Sequence, residues 1–399
     1  MLVRKVRSIF TNASHSRRSR LAIYSLPAIA LLVAAGTVAP IVAGSPSHDP
    51  PPAGAASACL SHVDATAPAG GSRPSQGWDA FWNSYGDSAT GWTAADGGYS
   101  VALPGMGELW MYADTYIGDV GPHGTLRGPR LIHNSFVLAS SSGIHTYFRG
   151  TRTTPLSFFG GTNYTAYWPG PAVVDGNTVQ VLFSKYHATE MSTITFLGSV
   201  VARFSLPSMS LLSATAVPTP MDTMWSSWAL GSGGYTYIYG VQSGAFLKLM
   251  HIARVRGNDL LGRWQYWTGK RWSYNPDRSA VVMSGVSDSF SVVKVDGVYV
   301  LVTLSTRSLP KTHDPSGNVD AYFSCSPAGP FVHRMVVYRL GSQLRRGVLD
   351  YNAIAHPELS HGTMLLVSYS VHGPSISMLG QPVSEYRPQY AWIRLPLHP

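Results

Sequence analysis

From Trp78 onward one unit returns five times: an apolar run, a turn containing glycine, then a second run of aromatic and β-branched residues. The paired runs are Tyr99–Leu103 with Leu109–Tyr112, Ala172–Val174 with Val179–Phe183, and Trp228–Leu230 with Tyr235–Tyr239. They continue as Phe290–Val295 with Val298–Leu304, and Pro357–Leu359 with Met364–Tyr369. Their turns, at Gly107, Gly176, Gly233, Gly297 and Gly362, recur about every 64 residues. Further runs follow inside the units, at Ser135–Ala139, Ser199–Phe204, Lys248–Val255 and Arg334–Leu340. A single small sheet cannot bury both of its faces, but sheets arrayed around an axis bury each other's. The fold class expected is therefore all-β, a five-bladed β-propeller with long loops between strands and no long amphipathic helix. In such an array the start of every inner strand faces one central pocket. Here that ring would be Asp96, Trp168, Trp225 or Ser226, Asp288, and the stretch Tyr351–His356. Blade five would close on the domain's first strand or on the run Tyr390–Leu395.

The formal charge of +9 is concentrated at one end. Arg4, Lys5, Arg7, Arg17, Arg18 and Arg20 carry six of the 29 basic charges, and no acid precedes Asp49, so the remainder is nearly balanced. No long basic run follows, and the Arg263–Arg271 stretch, rich in Trp and Tyr, reads as an exposed hairpin. A nucleic-acid partner is not expected. The basic start precedes an uncharged apolar run, Leu21 to Val42, with small residues at Val42-Ala43-Gly44. This is either a cleaved signal peptide or a single-span anchor, and either places the domain outside the cytoplasm. Residues 1–44 are thus the signal or anchor and 45–77, rich in Pro, Ala, Gly and Ser, a disordered linker. Residues 78–399 are the propeller, expected to be a monomer touching a membrane only through its N-terminal segment. Cys59 and Cys325 are either a disulfide or two free thiols.

Within the first unit, Asp96 precedes one run of the hairpin and Asp114 follows the other. Folding at the Pro104–Gly107 turn brings both carboxyls to one end. Paired carboxyl groups are the minimum equipment for glycosidic hydrolysis, one protonating the leaving oxygen and the other activating water or attacking the sugar. Asp288 starts unit four where Asp96 starts unit one, and would add a third acid to the pocket. His356, with Glu358 two residues on, starts unit five. Trp92, Tyr99, Tyr116, Trp168 and Trp225 could offer flat faces to sugar rings, with Asn134 and Arg387 as polar contacts. No phosphate-binding loop, dinucleotide fingerprint, metal motif or nucleophile elbow is present, so no cofactor or metal is expected.

The run ADGGYSVALPGMGELWMYADTYIG, with HNSFVL after it and YNAIAHPELSHGTMLLVSYS near the end, resembles a bacterial family of exported five-bladed propellers. That family was long described as of unknown function. Relatives in the wider group are endo-D-arabinanases, glycoside hydrolases that cut the D-arabinan of mycobacterial arabinogalactan and lipoarabinomannan. The resemblance spans roughly Trp78 to Leu395 and implies an endo-acting hydrolase of a furanose-containing envelope polysaccharide. It maps the family's paired acids onto Asp96 and Asp114. By analogy with other five-bladed glycosidases, Asp96 would be base or nucleophile and Asp114 the proton donor. Ala95 stands where the family often has a hydroxyl residue, and Ala113 where it usually has glycine. A glycan-binding propeller without catalysis and an envelope scaffold are the rival readings.

Overall fold

The structure is a computed structural model describing residues 59–398 except 65, 67–69, 163, 191–192, 245–246, 306–316, 341–347 and 376–377. The leader, and residues 45–58 of the expected linker, lie outside the described residues. No described helix is long and apolar enough to cross a membrane.

A two-residue strand, β1 (Arg73–Pro74), precedes the helix α1 (Gln76–Asp87). Blade one holds β2 (Trp92–Leu103), β3 (Gly107–Val120), β4 (Leu126–Ile132), β5 (Ser135–Ser140) and β6 (Gly143–Tyr147). A ribbon of β7 (Arg149–Gly150) and β8 (Pro155–Leu156) leads to blade two. Blade two comprises β9 (Thr165–Asp175), β10 (Thr178–Glu190), β11 (Thr193–Ser205) and β12 (Leu211–Val217). Blade three runs β13 (Met224–Ser232), β14 (Tyr235–Ser243) and β15 (Lys248–Arg256). Its outer edge is β16 (Gln265–Trp267) and β17 (Trp272–Ser273), the hairpin expected from the sequence, with β18 (Met283–Val286) beside β15. Blade four is β19 (Phe290–Val295), β20 (Val298–Leu304), β21 (Asn318–Ser324) and β22 (Val332–Arg339). Blade five is β23 (Leu349–Ala355), β24 (Met364–His372), β25 (Gln389–Arg394) and, outermost, β1.

The inner strands touch in a closed circuit, β2 to β9, β9 to β13, β13 to β19, β19 to β23 and β23 back to β2. This is the five-bladed propeller expected. Buried Tyr99, Phe136, Phe183, Tyr239, Phe290 and Ile354 belong to one continuous core drawn from all five blades. Burying a side chain of this size contributes roughly 1.5–3 kcal/mol, so the blade-to-blade faces supply the main cohesion.

Three expectations need correction. Blade five's inner strand is Leu349–Ala355, whereas Pro357–Leu359 is a 3-10 turn. Proline has no N–H for a ladder, so the strand ends before it. The helix α1 was not expected, although Trp78, Phe81, Trp82 and Tyr85 have helical spacing. Gly77, Asn83, Ser84 and Gly86 dilute that signal, and packing of Trp82 on Trp92, Trp110 and Tyr112 overrides it. Finally, residues 59–77 do not all behave as linker. Cys59 is bonded to Cys325, just past β21, and Val63 bridges to Leu397. Closure of blade five uses the Tyr390–Leu395 run, as β25, for its third strand, and takes its fourth, β1, from the segment expected to be linker.

Candidate active site

Both aspartates lie inside strands, not beyond their ends. β2 and β3 run further than the apolar runs alone indicated, and the ladder slips around Asp96. Ala95 pairs with Thr115 and Gly97 with Tyr112, so Asp96 alone faces the two residues Ala113 and Asp114. A bulge of this kind re-aims side chains and bends the strand. Gly97 and Gly98 make it possible, with φ of +78° and +108° in the left-handed region where a Cβ is strained. The Gly97 N–H donates to Ser370 Oγ of β24 at 3.0 Å, and the Thr115 hydroxyl bonds the Ala113 carbonyl at 2.9 Å. A Cβ built on Gly97 would lie 3.2 Å from the Ala113 backbone nitrogen, a tight approach, while the Ala113 methyl would stand at an ordinary contact distance of 3.6 Å.

The other edge of β3 changes partner at the same place. Tyr112 pairs with Ser135 of β5, whereas Thr115 pairs with Ile132 of β4. The corner between those strands is His133-Asn134, which therefore stands opposite Asp114. His133 Nδ1 bonds Asp114 Oδ1 at 2.8 Å. From blade two, Trp168 Nε1 donates to the same oxygen at 2.9 Å. Asp114 and His133 keep about a quarter of their side-chain surface open, 22% and 25%. They form the accessible lip of the site.

Asp96 sits deeper. Its Oδ2 accepts from Tyr351 Oη of β23 at 2.8 Å and from Tyr386 Oη, in the β24–β25 connection, at 3.1 Å. Burial and the Asp114 charge push its carboxyl up to about 7, against the lowering effect of the two phenols and the Asp114 backbone amide. The His133 imidazole is raised on balance: burial opposes its charge, but the hydrogen bond and charge of Asp114, with the charge of Asp96, outweigh it. Tyr116 packs edge-on against Tyr386 with ring centroids 5.2 Å apart. Its hydroxyl is pushed up to about 12 by burial and by both aspartates. Blades one, two and five thus converge on one acid pair.

Asp288 also reaches the mouth, but not as a free acid. Lys248 Nζ pairs with it at 2.8 Å. Its charge raises the hydroxyls of Tyr99 and Tyr186, after burial of those rings. Tyr186 lies against Trp168, centroids 4.5 Å apart. Trp168 therefore joins the acid pair to the Asp288 side of the mouth.

Other expected contacts are elsewhere. Trp92 is fully buried among Trp82 and Tyr112, against α1. Trp225 is fully buried with Trp264 and Tyr266, its Nε1 on the Pro218 carbonyl. Neither indole has a face left for a sugar, nor does Tyr99, whose hydroxyl donates to the Ser227 carbonyl in the central core. His356 is enclosed too. Its Nδ1 meets Ser100 Oγ at 2.6 Å and its Nε2 meets Ser368 Oγ at 2.9 Å, and burial drives its pKa down to about 3. Glu358 bonds that same Ser100. Asn134 is a brace: its amide donates to the carbonyls of Phe159 and Tyr167 at 2.8 Å each and accepts from the Phe159 N–H. It thereby sets where Trp168 enters the site. Arg387 bonds the Thr93 carbonyl, Asn83 and Asp87, fastening α1 to blade one. A groove beside α1, lined by residues including Arg73, Trp78, Phe81 and Trp392, holds no carboxylate.

The sequence does not mark His133, Tyr351, Tyr386, Tyr186 or Lys248 individually. Tyr351 did fall within the expected ring stretch, and His133 stands beside Asn134 in the quoted HNSFVL. Tyr386 left no signal, because it lies in a connection outside the repeat.

No curated protein matches the chain in sequence. Among solved structures, a candidate hydrolase from Bacteroides ovatus is similar over 81% of this chain and 90% of its own, at 17% identity and a TM-score of 0.67. That likeness establishes a shared fold. The α-L-arabinofuranosidase of Podospora anserina covers 76% of this chain and 92% of its own, at 9% identity and a TM-score of 0.41. A family-43 arabinoxylan arabinofuranohydrolase of Bacillus subtilis covers 75% and 63%, at 13% identity and a TM-score of 0.43. At those two scores the likeness carries no argument. The model of the family described as Domain of unknown function (DUF5005) matches residues 79–394, and the chain belongs to that family.

Proposed function

We propose that this member of the DUF5005 family is a glycoside hydrolase of a furanose-containing cell-envelope polysaccharide, endo-acting on D-arabinan, working outside the cytoplasm. The observation that carries the reading is the pair of aspartates brought face to face at the bulge of blade one. A carboxyl that holds its proton to about pH 7 can protonate a leaving oxygen near neutrality. Both phenols bond Asp96 Oδ2, and Oδ1 is buried, the oxygen on which an acidic proton would rest. Asp114, more open and fixed through one oxygen by His133 and Trp168, is placed to activate water or attack the sugar. Asp96 is then the acid and Asp114 the base or nucleophile, the reverse of the order expected by analogy. The choice of D-arabinan rests on the resemblance of the blade-one and blade-five runs to the endo-D-arabinanase group. The extracytoplasmic setting rests on the basic, then apolar, N-terminal sequence.

The test compares Asp96→Asn and Asp114→Asn on arabinan and on an aryl arabinofuranoside with a good leaving group. Both variants should stop release of oligosaccharides from arabinan. Asp96→Asn should keep turnover of the activated aryl substrate, which needs little acid assistance, while Asp114→Asn loses it. Full activity of either variant on arabinan refutes the acid pair.

A further inference from the structure

Beyond Trp168 the mouth carries a second cluster that the acid pair does not use. Tyr186 lies half-buried against the Trp168 ring, its hydroxyl donating to Met224 Sδ at 3.1 Å. Next to it is the Lys248–Asp288 ion pair, with side-chain exposures of 18% and 30%. Lys248 has three N–H donors. One serves Asp288 and one bonds Ser243 Oγ at 3.0 Å, which leaves a third. Asp288 spends Oδ1 on the lysine and, among the described residues, keeps Oδ2. A sugar ring resting on the Trp168–Tyr186 aromatics would find a donor and an acceptor side by side, the arrangement that satisfies two neighbouring hydroxyls. Because the charges cancel, the site suits a neutral polyol rather than an anion.

We propose that Trp168, Tyr186, Lys248 and Asp288 form a subsite for a second, neutral sugar residue of the chain whose bond the acid pair cuts. The proposal rests on the glycosidase reading for its substrate, and assigns that substrate's preferred size: an oligosaccharide spanning blades one to four, over a single sugar. The aromatic pair connects the two halves of the site through the indole N–H, which is hydrogen-bonded to Asp114. A chain lying along the mouth would therefore engage the acid pair at one sugar and the ion pair at another.

The experiment uses the full chain and two probes, an aryl arabinofuranoside and a series of neutral arabino-oligosaccharides from disaccharide to hexasaccharide. Binding of the oligosaccharides is measured by calorimetry in the Asp114→Asn background, with and without Asp288→Asn or Lys248→Met. Each variant loses one charge-assisted hydrogen bond to the sugar, which should weaken oligosaccharide binding by about tenfold. In the otherwise unaltered chain, each substitution should lower the preference in kcat/KM for oligosaccharide over aryl furanoside by a similar factor, mainly through KM. Equal binding and an unchanged preference in both variants overturn the subsite. If the unaltered chain binds the oligosaccharides through Asp288 and Lys248 yet cleaves neither probe, the subsite stands and the glycosidase reading falls. Two variants of opposite charge are used so that misfolding of one, seen as lost cooperative unfolding, leaves the other decisive.

Discussion

Replacing Asp96 by asparagine should make the protein more stable at neutral and alkaline pH while removing its activity on polysaccharide. Burial and the Asp114 charge push the carboxyl up to about 7 in the folded chain, from an ordinary value of 3.8. Between those values the folded state holds a proton that the unfolded state has released, so stability falls as pH rises through that window. Three pH units at 1.36 kcal/mol each come to about 4 kcal/mol above pH 7. Below pH 4 both states are protonated and the penalty vanishes. Asparagine keeps an oxygen for the Tyr351 and Tyr386 hydroxyls and carries no charge to desolvate. Thermal unfolding of the two proteins from pH 3.5 to 8.5 checks this. The curves should coincide near pH 3.5 and separate by several degrees at pH 8, with the variant higher, at roughly 2 °C per kcal/mol for a domain of this size. A variant less stable than the parent by the same amount at every pH would refute the reasoning. It would mean that the phenol–carboxylate hydrogen bonds, not desolvation, dominate the site.

His133→Gln should weaken turnover about tenfold, as loss of one charge-assisted contact implies, and should change the pH dependence of stability. The raised imidazole stabilises the fold fully below its ordinary value of 6.5 and loses that contribution as pH rises through its folded value, so a pH profile of stability identical to the parent's would count against it. His356 and His251 are the opposite case, with burial holding them at about 3 and about 4. Their contribution is complete above 6.5 and is lost as pH falls, so His356→Gln should flatten the acid side of the stability curve between pH 6.5 and 4. Reducing the Cys59–Cys325 bond, or changing both residues to serine, should cost roughly 2–5 kcal/mol; an unchanged denaturation midpoint would show that the strand pairings alone hold that segment.

The propeller was legible because its signal is repetition, which survives errors in any one unit. Four of the five expected hairpins overlap observed strand pairs, and the fifth failed where proline displaced the inner strand by half a dozen residues. The acid pair was legible as two aspartates flanking a hairpin turn. Its geometry was not, since a bulge is a statement about register that composition barely marks beyond Gly97-Gly98. The same irregularities explain the misplaced aromatics. Strand parity decides which face a side chain takes, and the ladder slips again between Trp92 and Ala94, so counting from Asp96 puts Trp92 on the wrong face. Sequence does not separate His133 from Asn134, because neighbours at a strand corner cannot be ranked without knowing which strand they oppose. Tyr386 comes from a long connection, where periodicity gives no guidance.

The Cys59–Cys325 bridge also sets where mechanical load enters the molecule. Tension pulled from the N-terminal side of residue 59 would otherwise reach the propeller through the single bridge of Val63 to Leu397 and then β1, a two-residue edge strand that can be peeled from β25 one ladder bond at a time. The bridge diverts that force into blade four, at the end of β21, which is clamped between β20 and β22 along its length. Strands held on both sides must be sheared rather than unzipped. A propeller tethered by its leading segment would thus keep its ring closed under strain, and with it the spacing of the pocket-facing strands.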